Sequence, residues 1–244
     1  MTNHFFFFTF SRLCRRLWRN TSDYGHPRPS SKIRRRLIFP LFFLLFFWVC
    51  IIGCANTGKP QLQIERYIID YSAPRFENLS PINETIRVDR FTIASVYNNN
   101  SMIFRRDNYG IDAFNYNRWA VNPADMLGDM LLRDIRESRL FRAAFSRYAV
   151  GEGRYVLQGG IEEFFLQTGK EGHFAIISLN MTLKDIKQRE TTKQILFQKK
   201  YSEKKPLKTD TSRSYCEAMS LAMERLSRQI ISDVYRTVRT AASF

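Results

Sequence analysis

The residues beyond position 63 predict an α/β domain of the α+β kind: a single mixed, largely antiparallel sheet covered by two main helices. Three observations predict it. Short runs rich in β-branched and aromatic residues recur between polar turns, as antiparallel strands do. One helix is announced by Asn122, Pro123 and Asp125, and a second by an apolar stripe that runs close to the carboxyl terminus.

IERYIIDY (residues 64–71) reads as the first strand, and SAPRFENLSPINE after it as a loop, because serine, proline and asparagine favour turns. TIRVDRFTIASVY (85–97) predicts a second strand, stopped at Asn98, Asn99 and Asn100. SMIFRRDNYGIDAFNYNRWA splits into two apolar-polar alternations at residues 107–110, which predicts a hairpin. A helix opens where Asn122 can cap, Pro123 suits the first turn and Asp125 meets free backbone amides. Met126, Leu127, Met130, Leu131 and Ile135 give it one apolar face, and SRLFRAAF (138–145) leads out of it.

Three strands follow. RYVLQGGIEEFFLQ (154–167) carries Gly159 and Gly160 in its interior, which predicts a bulge or a close backbone approach. In HFAIISLNMTLKDI, Ala175, Ile177, Leu179, Met181 and Leu183 point one way and Ser178, Asn180 and Thr182 the other, the pattern of a half-buried antiparallel strand. KQILFQKKY (193–201) is its hairpin partner. In the last helix Ser214 and Glu217 read as a capping box, and Met219, Ala222, Leu226, Ile230, Val234 and Val238 as a stripe that covers the sheet. Part of that stripe could instead meet another subunit, which leaves a homo-oligomer open.

The first 53 residues are of another kind. They hold nine Lys and Arg against Asp23 alone, while the remaining 191 carry 29 basic and 22 acidic residues within a net charge of +15. The excess outside the head is the mild one of a solvated surface, so no nucleic-acid partner is expected. LIFPLFFLLFFWVCIIG (37–53) has no charged residue and follows KIRRR, the order of a bacterial export signal. Its seventeen residues fall short of the roughly twenty that span a bilayer, and Pro40 shortens the usable helix further. Export is therefore favoured over permanent anchoring. The 36 residues ahead are long for a signal's basic region, and no second Met occurs before Met102. Either translation begins downstream of Met1 at a non-Met codon, or the extension is a cytoplasmic segment.

Ile51, Ile52, Gly53 and Cys54 resemble the lipobox of bacterial lipoproteins. Gly53 supplies the small residue before the cut, Ile51 is an acceptable aliphatic, and Ile52 is bulkier than the usual Ala or Ser. The resemblance implies signal cleavage between Gly53 and Cys54, with a diacylglyceryl group and an N-acyl chain such as palmitate on Cys54, and no other cofactor. More than one acyl chain exceeds the marginal single-chain anchor, so the product should stay on a membrane. Ala55 is not the Asp that favours inner-membrane retention, which implies a periplasmic chain held at the outer membrane. The domain plan is then 1–53, basic extension plus signal peptide; 54–63, polar tether; and 64–244, the folded domain. After cleavage only Cys54 and Cys216 remain, and a lipidated Cys54 cannot pair, so no disulfide framework is expected.

The supply of catalytic groups is thin. His173 is the single imidazole beyond the head and has no Cys or acid pair at ligand spacing. Glu162 and Glu163 are adjacent strand residues, whose side chains face opposite sides. The sequence has no phosphate-binding GxxxxGKS/T, no GxGxxG in a strand-helix setting and no GxSxG. Neither an enzyme nor a metal site is expected.

The stretch from residue 86 to residue 138, IRVDRF followed by SMIFRRDNYGIDAFNYNRWAVNPADMLGDMLLRDIRES, resembles the auxiliary lipoproteins of ABC-type transport systems, the group that contains the paraquat-inducible lipoprotein C. Phe104, Arg105 and Arg106 stand at that family's Val-Tyr-Arg edge, Tyr116, Arg118 and Trp119 in its Tyr-containing strand, and Pro123 at its helix start. The likeness covers most of 64–242, and the loop around 76–84 and the long head depart from it. It implies no catalytic residues. It does imply partners: an ABC permease, its ATPase and a substrate-binding protein of the mammalian-cell-entry (Mce) type that carries lipids between two membranes. Beside them such a chain would tether and dock the assembly.

Arg105, Arg106, Tyr109, Tyr116, Arg118 and Trp119, with Phe114 among them, are the residue types that concentrate binding energy at interfaces, and form the candidate partner-binding set. The competing reading places Phe114 and Trp119 in the core and leaves the arginines solvated. Two other functional classes stay open: an envelope lipoprotein without a transporter, and an uncleaved inner-membrane protein with a periplasmic sensory domain.

Overall fold

The computed structural model describes residues 62–149 and 153–243. The signal segment, Gly53, Cys54 and the tether up to Gln61 lie outside the described residues. The elements run in the order β1 (Glu65–Tyr67), β2 (Ile82–Val88), β3 (Thr92–Ile93), β4 (Ser101–Arg105), β5 (Ile111–Trp119), α1 (Pro123–Ser138), β6 (Phe141–Ser146) and β7 (Tyr155–Gly169). After them come β8 (Gly172–Asp185), the single turn α2 (Thr191–Gln194), β9 (Ile195–Pro206) and the long α3 (Ser212–Ala241).

The spine of the sheet is β7. Antiparallel β8 follows one of its edges, and antiparallel β9 extends the sheet beyond β8. Along the other edge β2, β3 and β4 dock in succession, all parallel: Ile86 beside Tyr155, Thr92 beside Gly160, Phe104 beside Leu166. The sheet then forks, because β6 adds to β2 while β5 and then β1 add to β4. The two longest pairings, β7–β8 and β8–β9, are antiparallel and the strands on the other side of β7 dock mostly parallel, which is the mixed α+β sheet that the sequence predicts. Two main helices cover it, α3 on β8 and β9 and α1 chiefly on β6, and the helices also touch each other.

The alternation in β8 and the stripe on α3 meet in this layer. Ala175, Ile177, Leu179, Met181 and Leu183 are fully buried, as are Met219, Ala222, Leu226, Ile230, Val234 and Val238. Full burial of an aliphatic side chain of this size contributes roughly 1.5–3 kcal/mol, so the seam between α3 and the sheet is a main source of stability. Asn122 caps α1 as expected, its side chain accepting from the Ala124 amide at 2.9 Å, and Pro123 opens the helix. Arg139 closes it in the left-handed region, φ 54°.

Four elements differ from the sequence expectation, each for a local reason. The first strand is only β1, because beyond Tyr67 the Ile69 amide turns to Met126 Sδ and the Asp70 amide to Ser220 Oγ, so the chain leaves the sheet for the helices. The second expected strand is broken between β2 and β3, where Phe91 turns inward and is buried. The lead-out from α1 becomes the strand β6, parallel to β2. The cap of α3 is Thr211 and not Ser214: Thr211 accepts from the Ser214 amide, while Ser214 Oγ accepts from the Lys208 and Thr209 amides one turn inside.

Gly159 explains the break at Phe91. A Cβ on Gly159 would lie 2.6 Å from the Phe91 ring, so the ring occupies the space a side chain would need. The register shift of β7 falls just after it, between Ile161 and Glu163. Gly159→Ala is expected to destabilise the fold by about 1–3 kcal/mol through overpacking, read as a lowered denaturation midpoint. Combining it with Phe91→Leu should give a double variant more stable than the two separate losses add up to. Strict additivity would contradict the close approach.

A polar knot joins the amino-terminal segment to both main helices. Asp134 of α1 is fully buried and accepts from Tyr71 Oη at 2.7 Å and from Ser227 Oγ of α3 at 2.5 Å. Arg133 donates to the same carboxylate through Nε and Nη2 at 2.9 and 2.8 Å, and its guanidinium lies 4.8 Å from the centre of the Tyr71 ring. Burial, and then the charge of Asp134, push the Tyr71 phenol well above its ordinary pKa.

Candidate functional site

The hairpin of β4 and β5 carries the predicted docking residues, and its tip is a built structure. Asp107 Oδ1 accepts from the Tyr109 amide at 2.8 Å and from the Gly110 amide at 2.6 Å, an Asx turn that fixes the loop. Those two backbone donors hold the Asp107 carboxyl below its ordinary pKa. Arg105 braces the turn from outside, Nη2 donating to the Asn108 carbonyl at 2.6 Å, while its guanidinium lies 4.9 Å from the Phe165 ring centre. Arg106 lies 5.3 Å from the Phe104 ring centre and is exposed. Tyr109 is 97% exposed at the apex, so the turn presents a bare aromatic on a held backbone.

The six predicted residues therefore separate. Arg105, Arg106 and Tyr109 come together at the tip. Tyr116 and Arg118 lie further along β5, Tyr116 exposed and Arg118 half-buried, with Arg118 Nη1 donating to the Phe114 and Asn117 carbonyls. Trp119 does not belong to the docking set. It is 1% exposed, with its ring 5.2 Å from Phe164 and 5.6 Å from Tyr215, centre to centre. The reason is the register: Trp119 pairs with Tyr67, and a bulge opposite Ser101 and Ile103 changes the side on which the last residues of β5 fall. Phe114 is half-buried against Phe104, ring centres 5.2 Å apart.

Asp107, outside the predicted set, is the residue that fixes the tip. Its signal was present, since Asp followed by Asn-Tyr-Gly is the composition of an Asx turn.

The remaining reactive groups lie apart, on β8, β7 and α3. His173 is half-exposed with Nε2 3.8 Å from Asp210. Glu162 is tied to Lys200 at 2.7 Å, and the hydrogen bond from Lys200 lowers its pKa. Burial pushes the Cys216 thiol up to about 11, and it donates to the Ile68 carbonyl, so it is a packed cysteine and not a thiolate nucleophile. Among the described residues no three His, Cys, Asp or Glu side chains converge to hold a metal ion. No helix of the described residues is long and apolar enough to cross a membrane.

The profile of one protein family, described as "ABC-type transport auxiliary lipoprotein component", matches residues 70–231. Among solved structures, the protein XCC0632 from Xanthomonas campestris, of family DUF330, is similar in fold: TM-score 0.66 and 14% identity over 74% of this chain and 100% of that one. A second, a crystal structure of an uncharacterized protein, has a TM-score of 0.54 at 14% identity over 70% of this chain and 99% of that one. No curated protein matches the sequence.

Proposed function

Because this chain belongs to the family of ABC-type transport auxiliary lipoproteins, we propose that it is the non-catalytic docking component of an Mce-type lipid transport system, held at the outer membrane by lipid on Cys54. Its partners in this reading are an ABC permease, an ATPase that hydrolyses the nucleotide, and an Mce-type substrate-binding protein. The auxiliary role comes with the family. The observation that carries the docking role is Tyr109, an aromatic 97% exposed on a turn fixed by Asp107 and Arg105. A rigid, exposed aromatic loses little entropy on binding, and Tyr and Arg are the residues most often found to dominate interfaces.

The test is capture of the transport proteins by tagged chain. Tyr109→Ala is expected to weaken capture roughly 30-fold, the size of a hot-spot residue, and Arg106→Ala in the same direction. Folding should not change, because neither side chain supports the core. Unaltered capture by the double variant would overturn docking through this tip.

The anchor has its own measurement, the intact mass of membrane-extracted protein. A product that starts at Cys54 with added acyl mass, absent from Cys54→Ala, is the expected result. A chain that retains residues 37–53 without acylation would replace the lipid anchor by a membrane-spanning segment.

A further inference from the structure

We propose that the outer corner of the sheet, where β1 lies on β5, rests on the headgroups of an anionic phospholipid bilayer. This inference rests on membrane attachment close to Cys54. Arg66 and Arg118 stand side by side in the parallel register of β1 and β5. Among the described residues neither arginine pairs with a carboxylate, and Arg118 is spent on two backbone carbonyls of its own strand. The two residues put two positive charges without a carboxylate partner on adjoining strands at this corner, and phosphate suits guanidinium geometry.

The surroundings select a lipid surface over a soluble anion. Leu62, Ile64 and Ile68 are 65%, 53% and 56% exposed, and Tyr116, two residues before Arg118, is 46% exposed. Aliphatic side chains, a tyrosine and arginines together match the boundary between headgroups and acyl chains, where aromatic rings and basic residues settle. The chain length makes the contact reachable. Residues 55–61 separate Cys54 from Leu62, and at about 3.5 Å per residue Leu62 stays within roughly 28 Å of the bilayer. An anchored domain therefore samples the surface continuously, and weak contacts suffice to orient it.

Each arginine near an anionic surface is expected to favour the docked orientation about fivefold, and the pair roughly 25-fold. The experiment reconstitutes the full, anchored chain in phosphatidylcholine vesicles with and without phosphatidylglycerol, and follows amide hydrogen exchange over residues 62–68 with flotation as a parallel readout. Slower exchange with phosphatidylglycerol, absent in phosphatidylcholine alone and abolished in 1 M salt, is the expected result. Arg66→Gln should reduce the docked fraction about fivefold and Arg66→Gln with Arg118→Gln roughly 25-fold. The single variant touches none of the buried core, so the comparison does not depend on the double variant folding. A chain that floats but exchanges identically in both vesicles overturns this inference alone. Protection that appears only when the transport proteins are added also overturns it, in favour of a protein partner on this corner. A chain that does not float overturns the anchoring and this contact with it.

Discussion

Replacing Asp134 with alanine is expected to destabilise the protein by about 3–5 kcal/mol, because it removes a fully buried shared acceptor and leaves its donors without a partner. The carboxylate is the shared acceptor for Tyr71, Ser227 and Arg133. Without it, the Tyr71 and Ser227 hydroxyls lose their acceptor, each at about 1–3 kcal/mol, while Arg133, 34% exposed, can turn to water. Asp134→Asn should lose less, since the amide oxygen still accepts. The measurement is denaturant unfolding with the slope held against the parent protein. A loss below about 1 kcal/mol for the alanine variant would mean that Tyr71 and Ser227 find new acceptors and that the knot is not what holds the amino-terminal segment.

Trp119→Ala is the second change of this size, expected to cost about 3–5 kcal/mol as the cavity between Phe164 and Tyr215 opens. Its value lies in contrast with Tyr109→Ala. The two aromatics sit on the same hairpin, yet one is 1% and the other 97% exposed. Tyr109→Ala should spare the unfolding midpoint and weaken partner capture, whereas Trp119→Ala should lower the midpoint and reduce capture only in proportion to the unfolded fraction. If Trp119→Ala left stability unchanged, the packing of Trp119 between Phe164 and Tyr215 would be in question.

Where local chemistry decides structure, the sequence was legible. Asn122 and Pro123 mark the start of α1 because a cap depends on the residues present there, and the stripe on α3 is a matter of spacing alone. The glycines of β7 were readable as a close approach, though not the identity of Phe91 as the ring that fills it. What could not be read depends on distant pairing. Nothing near β6 declares a strand, since its partner β2 lies more than fifty residues earlier. Ser214 and Thr211 are both competent caps, and the choice falls to Thr211 because Ser214 is taken by the Lys208 and Thr209 amides. The candidate docking set was legible as composition but not as surface, because the bulge in β5 sets the side of Arg118 and Trp119. The knot left a trace: Asp134 follows Leu127 and Leu131 at helical spacing, an acid on an otherwise apolar face, which requires buried partners.

The order of pairing along β7 carries a kinetic consequence. Three strands that precede α1 wait for a partner that is made later, since Ile86, Thr92 and Phe104 find Tyr155, Gly160 and Leu166 respectively. Until β7 exists, a partial chain can complete the β4–β5 hairpin, β1 on β5 and β2 on β6, but cannot join these pieces into one sheet. Contacts of such wide sequence separation slow folding, because loop closure precedes any gain from pairing. A chain emerging amino terminus first therefore exposes unpaired edges and apolar side chains until residue 169 is free. The productive yield of this fold should therefore depend more on the speed with which β7 is delivered than on the stability of the finished sheet.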